Sequence, residues 1–462
     1  MIRLFSSKTA VSRLVLASFC TAAVTACATI APETEPAIVE APAVVEETVA
    51  VEAAPDAPME TPTLAFTEAG IAELEQTMAQ YVEEGRLYGI HTRLTHKGAI
   101  VSDFKTGLRG LENQTPIEDD TIYRIYSMTK PVTGVAMMML WEEGKFDLDD
   151  PITKHIPEFE SLKVLGGVNE DGSAILVDME RAPTIREVMS HTSGFAYGLG
   201  GADPANSAFR DLKVLESPDL QTFIDRTATI PLLFQPGEHW FYSVGMDIQG
   251  YLIEKWSGQT FGEFLQTRMF EPLGMVDTGF YVPEEEYDRL SEVYGFDPET
   301  GALVPIPFPG VMFKKETINF ESGGGGLVST MDDYGRFAEM LVRGGTLDGV
   351  QIIKPETLEI MTTNVMPEGA VMSDAGMNLG EQFPGIGMGL TVGTIEDSAS
   401  VPTKIADGSY FWGGAASTWF WIDPVNELHF VGMVQIFSQN NPNGPLELRE
   451  VSSDAVYSAI AK

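Results

Sequence analysis

From Thr67 onward the apolar positions repeat in two rhythms. Ile71, Leu74, Met78 and Tyr81 recur at helical spacing and predict a helix that begins near Thr67 and ends at Gly85. Tyr88–His96 and Ala99–Thr106, joined by Lys97-Gly98, read instead as the two strands of a hairpin. From Pro116 to roughly Met331 the signals are mostly helical, broken by long loops that carry Gly and Pro. One helix there contains Val132, Val135, Met138 and Leu140 and meets no strong breaker before Gly144. Another contains Ile248, Leu252, Ile253 and Trp256 and closes at Gly258, while Asp171-Gly172-Ser173 marks the tip of a local hairpin. Helical spacing returns at Asp332–Gly344 and Pro355–Thr362. The chain ends with strands at Ser409–Trp412, Thr418–Asp423 and Leu428–Ile436, a turn at Pro424-Val425-Asn426-Glu427, and a last helix from Leu446.

Strands at both ends, helices between them and no βαβ rhythm predict an α+β fold. It is an antiparallel β-sheet flanked by helices, with a mostly helical domain inserted over about 116–331.

The first residues show a different pattern. Arg3, Lys8 and Arg13 precede an apolar run from Leu14 to Val24 that is too short to span a membrane as a mature helix, so residues 1–26 read as an export signal. Val24-Thr25-Ala26-Cys27 resembles the lipoprotein box, in which cleavage leaves the cysteine to be acylated and holds the protein to a membrane surface. The competing reading is Ala26-Cys27-Ala28 as an ordinary small-x-small cleavage site, with Cys27 removed. The composition of the next segment favours the anchor. Residues 29–62 are almost wholly Ala, Pro, Val, Glu and Thr, with eight acids and no Lys or Arg, as in a solvated tether. Extended at ~3.1 Å per residue, such a tether holds a domain tens of Å from a surface. Residues 27–66 are therefore read as anchor and linker and 67–462 as the folded domain, with an exported, cell-envelope location expected.

Charge removes some functions. Lys+Arg 29 against Asp+Glu 67 gives a net charge of -38, which repels nucleic acid and anionic headgroups. With 462 residues, of which 44% are hydrophobic, the chain can bury a large core. Both cysteines, Cys20 and Cys27, precede the domain, so it holds no disulfide, thiolate metal site or cysteine nucleophile. The six histidines show no ligand spacing, and no metal or other cofactor is expected.

The candidate chemistry starts at Tyr123–Val132. Ser127 and Lys130 are three apart at the amino end of the predicted helix, where i and i+3 positions are neighbours ~5–6 Å apart at Cβ. An amine beside a hydroxyl gives the serine proton somewhere to go. Pro131 falls in the first turn, which tolerates a missing N–H. Ser-x-x-Lys is a short motif, and Ser102-Asp103-Phe104-Lys105 has it too; on a strand, however, its Ser and Lys point to opposite faces. That copy is a coincidence.

Two further stretches stand out. Pro236-Gly237 turns into the aromatic segment Trp240-Phe241-Tyr242-Ser243-Val244-Gly245, just ahead of a helix. A phenol there can shuttle protons if a cation, for which Lys130 is the candidate, lowers its pKa from near 10; packing is the alternative. In Tyr410-Phe411-Trp412-Gly413-Gly414-Ala415, two glycines interrupt a strand pattern. They suit a substrate laid along the strand with its carbonyl in an oxyanion hole, or a simple bulge.

Together these stretches resemble the serine β-lactamase and penicillin-binding-protein superfamily, in its class C-like branch that includes β-lactamase-fold carboxylesterases. The resemblance covers about residues 67–460. It also takes in Ser190-His191-Thr192-Ser193-Gly194, Glu271-Pro272-Leu273-Gly274-Met275 and Gly323-Gly324-Gly325-Gly326-Leu327, in the family's order. It implies Ser127 as the nucleophile of an acyl-enzyme, Lys130 assisting its deprotonation, and Tyr242 as general base and later proton donor. The backbone N–H groups of Ser127 and Ala415 would form the oxyanion hole, and the His191 landmark is usually structural.

Two departures bear on the substrate. Tyr242-Ser243-Val244 stands where β-lactamases carry Tyr-x-Asn, so Val244 replaces a side-chain amide at the substrate. Trp412-Gly413-Gly414 stands where they carry Lys-Thr-Gly, which removes a cation for the substrate carboxylate. A lost charge-assisted contact costs ~1.5–3 kcal/mol, about ten- to a hundredfold in affinity. Trp412, Gly413, Gly414 and Val244 are thus expected to line a site for an uncharged ester, with weak β-lactamase activity as a side reaction. The first reading is a carboxylesterase acting on small esters. The second is a β-lactamase or D-amino-acid peptidase, with an amide substrate, and the third a catalytically silent envelope binding protein. No Gly-x-Ser-x-Gly elbow supports an α/β-hydrolase, and no Gly-x-x-x-x-Gly-Lys-Ser/Thr motif supports a nucleotide.

Overall fold

A computed structural model describes residues 64–199, 201–306, 318, 320–370, 372, 384–439 and 441–461. The expected leader, Cys27 and the expected tether up to residue 63 lie outside the described residues. The hairpin forms as the alternation predicts, with β1 (Gly89–His96) and β2 (Ala99–Gly110) antiparallel and a register shift at Leu94/Thr95. The strand pattern of the C-terminal region yields β6 (Tyr410–Gly413), β7 (Trp419–Asp423) and β8 (Leu428–Met433). β8 pairs with β1, which closes the two ends of the chain into one sheet. Two strands lie where the alternation carries no signal, β4 (Ile386–Met388) and β5 (Gly393–Ile395). At three residues each, they are too short for a period of two to show. With β3 (Thr115–Pro116) the eight-stranded order is β4-β5-β6-β7-β8-β1-β2-β3, antiparallel throughout.

Both faces of this sheet are covered, and strand parity decides what each residue meets. Phe411, Trp419, Trp421, Leu428 and Phe430 face a core shared with α1 (Glu68–Glu83) and α5 (Leu448–Ala459). Tyr410, Trp412, Phe420, Ile422, Val431 and Met433 face the opposite core, shared with α2 (Thr129–Glu142), α3 (Gly245–Ser257) and α4 (Met331–Val342). The second core runs unbroken from the sheet into the region 116–331. That region also carries a hairpin, Lys163–Val168 with Ala174–Asp178, around Asp171-Gly172-Ser173. A small sheet, in which Tyr294–Phe296 pairs with Leu303–Pro305 and with Ile436–Phe437, is a β element in the stretch expected to be mostly helical.

α2 is buried on all sides from Thr129 to Leu140, as a helix that is apolar around its whole circumference must be. It ends at Glu142, with Gly144 in the left-handed region at φ 71°. Its amino end therefore lies deep in the protein, beneath β6, and that placement makes the site.

Candidate active site

Ser127 was expected on the helix; it lies instead on a 3-10 turn, Tyr126–Met128, that leads into α2. Tyr126 takes φ 44°, a left-handed conformation that costs a side-chain-bearing residue roughly 1–2 kcal/mol. Fixed bonds hold the turn in that shape. Met128 N–H donates to Ile125 O at 3.0 Å, Ile125 N–H to Leu327 O at 3.1 Å, and Tyr334 Oη to Met128 O at 3.1 Å. Tyr123–Arg124 pairs with Val328–Ser329, and Gln435 brackets Arg124 through its N–H and carbonyl.

Lys130, the second residue of α2, is fully buried and points its ammonium at the turn. Its Nζ lies 3.2 Å from Ser127 Oγ and donates to Gly324 O at 2.6 Å. It also sits over two aromatic rings, 4.5 Å from the centroid of Tyr242 and 5.3 Å from that of Tyr197. Tyr242 arrives from the segment before α3 and donates from Oη to Ser127 Oγ at 2.7 Å. The structure thus brings the hydroxyl, the amine and the phenol to one point from positions up to 115 residues apart.

Burial sets the proton affinities of this trio. Lys130 is pulled down to about 7 by desolvation, opposed by the negative charge of Asp247. Tyr242 is pushed well up by the same burial, eased by hydrogen bonds with Ser127 and Trp412. A base is most effective when its pKa lies near the working pH. In the resting site, therefore, Lys130 matches neutral pH and Tyr242 keeps its proton. The Lys130 ammonium lies over the face of the tyrosine ring, 4.5 Å from its centroid.

The segment Ser190–Gly194 explains how Tyr242 is held. His191 O accepts from Phe241 N–H at 2.9 Å, and His191 Nδ1 accepts from Ser243 N–H at 3.1 Å. The imidazole also packs against the Tyr242 ring, with centroids 4.8 Å apart. Burial and the nearby Lys130 hold His191 well below its ordinary pKa, so it is a neutral acceptor here. Val244, expected at the substrate, is fully enclosed in the core, so its side chain packs rather than meeting a ligand.

Trp412 reaches the site because of its even position on β6, stacked on Tyr242 with ring centroids 6.0 Å apart and the planes 23° from parallel. Gly414 is required by its protein neighbours. A Cβ there would collide with Thr418 Oγ1 and Ile125 O, so the end of the hairpin and the segment leading to Ser127 both press on it. A Cβ at Gly413 would meet only Thr418 O at 3.2 Å. Bonds from Gly414 N–H to Thr418 O and from Ser417 N–H to Gly414 O close the turn after β6. Ala415, on that turn, is exposed. The N–H groups of Ser127 and Ala415 have no hydrogen-bond partner among the described residues, the condition an oxyanion hole needs.

Sequence reasoning passed over two residues at this site. Tyr197 forms a wall beside Lys130 and Tyr242. Asp247 lies fully buried in the first turn of α3, where an acid reads as an ordinary complement to the helix dipole. No local pattern marks either one.

The family model described as Beta-lactamase matches residues 74–452. Protein Rv1367c of Mycobacterium tuberculosis is 32% identical over 369 residues, covering 78% of this chain and 89% of the relative. Esterase EstB of Burkholderia gladioli is 29% identical over 406 residues, covering 84% and 95%. Among solved structures, EstCE1, described as a hydrolase with promiscuous acyltransferase activity, superposes with a TM-score of 0.68 at 25% identity, covering 84% of this chain and 99% of that one.

Proposed function

The chain belongs to the Beta-lactamase family as a hydrolase of that fold, and from that premise we propose that it is a serine carboxylesterase working through an acyl-enzyme on Ser127. The observation that carries the reading is the convergence of Lys130 Nζ and Tyr242 Oη on Ser127 Oγ, at 3.2 and 2.7 Å, with Trp412 alongside. Neutral Lys130 takes the Ser127 proton as Oγ attacks the ester carbonyl. The N–H groups of Ser127 and Ala415 receive the oxyanion. Tyr242, already bonded to Oγ, passes a proton to the departing alkoxide and is recharged from Lys130. Water then repeats the sequence on the acyl-enzyme, releasing the acid.

Ester rather than β-lactam is supported by what replaces the family's charged and amide positions. The aromatic Trp412 takes the place of a lysine, and the enclosed Val244 takes the place of an asparagine. The esterase EstB and the hydrolase EstCE1 point the same way. A short-chain nitrophenyl ester is expected to turn over with the wild type and not with Ser127→Ala, and no turnover by the folded wild type would remove the reading. The intact trio favours a β-lactamase or D-peptidase as the second reading, which a chromogenic cephalosporin hydrolysed faster than any ester would establish.

The proposal includes export and a membrane anchor at Cys27, on the strength of the leader's pattern and the acidic, Pro- and Ala-rich stretch that follows it. Cys27→Ala would then release the protein from the membrane fraction, and an unchanged distribution would refute the anchor.

A further inference from the structure

The cation at this site has no carboxylate within ion-pair distance among the described residues, yet it is completely buried. What holds it is the carbonyl of Gly324, at 2.6 Å. The N–H of the same residue donates to Asp247 Oδ1 at 3.2 Å, and Ser322 Oγ donates to that oxygen at 2.5 Å. Asp247 Oδ2 is buried without a hydrogen-bond partner. A Cβ at Gly324 would stand 2.7 Å from Asp247 Oδ2 and 2.8 Å from Tyr197 Oη, so the carboxylate and this loop meet at a place only glycine fits.

Building on the acyl-enzyme reading, we propose that Asp247 is a positioning residue, whose carboxylate clamps the Ser322–Gly324 loop so that the Gly324 carbonyl holds Lys130 beside Ser127. A buried carboxylate that makes fewer bonds than it can accept costs stability, so its presence calls for a reason. Here that reason is a buried ammonium, reached through the two backbone groups of one residue, Gly324. The clamp fixes where Nζ sits. The charge opposes the desolvation of Lys130 and so keeps a proton available for return to the leaving group. The other titratable groups facing Lys130 are Tyr242 from the segment before α3, and Tyr197 and His191 from the segment before residue 200. Both tyrosines also feel Asp247.

The test is the rate at which a fluorophosphonate labels Ser127 in the full-length protein, measured against pH. Asp247→Asn keeps the shape and removes the charge. It is expected to slow labelling several-fold on the plateau and to move the midpoint of the acid limb down by about one pH unit. A merely structural aspartate would lower thermal stability and leave the midpoint in place. If Asp247→Asn does not fold, Ser322→Ala, which keeps the carboxylate and removes one arm of the clamp, is expected to label several-fold more slowly than the wild type at a temperature where both are fully folded by circular dichroism. An unmoved midpoint with Asp247→Asn, or a wild-type rate with Ser322→Ala, would overturn this inference alone. No labelling of the wild type at any pH would overturn the acyl-enzyme reading and this inference with it.

Discussion

The chain contains Ser-x-x-Lys at 102–105 and again at 127–130, and the two regions have the same spacing but different fates. On β2, Ser102 turns toward α1 and donates to Glu75 Oε1 at 2.8 Å, while Lys105 pairs with Asp119. Both groups are satisfied, and they point to opposite faces of the strand. On the turn before α2, Ser127 and Lys130 come within 3.2 Å of each other, and the amine is sealed from water. Backbone geometry decides whether the spacing means anything, and burial decides whether the amine can act as a base.

The sharpest way to break the comparison is to mutate the second copy. Ser127→Ala is expected to lower kcat/KM for a nitrophenyl ester by about 10⁴-fold or more, and Lys130→Ala by roughly 10³-fold. Tyr242→Phe, which removes only the oxygen 2.7 Å from Ser127, should cost ~10²-fold, read from the same steady-state assay. Next in size is the pH dependence. The proton affinity of Lys130 is lowered to about 7, so the neutral form is lost as pH falls through that value. The kcat/KM profile should rise with pH to a midpoint near 7 and fall about tenfold per unit below it. The first copy gives the smallest effect. Ser102→Ala or Lys105→Ala should leave kcat/KM within about twofold and lower stability by about 1 kcal/mol, measured by denaturant unfolding.

The sequence made much of this legible, for reasons that can be named. Helical spacing placed α1 and α2, and alternation placed β1, β2 and the three C-terminal strands, because each is long enough to repeat its period. β4 and β5 are not, and they escaped notice. Ser127, Lys130 and Tyr242 stood out through spacing and the family's order of landmarks. The 3-10 turn under Ser127 did not, since it depends on Leu327 and Tyr334, some 200 residues further on. Gly414 was marked as a position of close approach, but one partner, Ile125 O, is a tertiary fact. Asp247 was silent for the same reason: its meaning lies in Gly324 and Lys130, neither of them its neighbour in sequence.

The central claim is that Ser127, activated by Lys130, carries the acyl group. The most direct measurement is to quench the enzyme during turnover of a nitrophenyl ester at neutral pH and map the acyl mass by peptide sequencing. The account predicts the added mass on Ser127, none on Ser102, and its loss in Lys130→Ala. Acylation at any other residue, or undiminished acylation of Ser127 without the lysine, would contradict it.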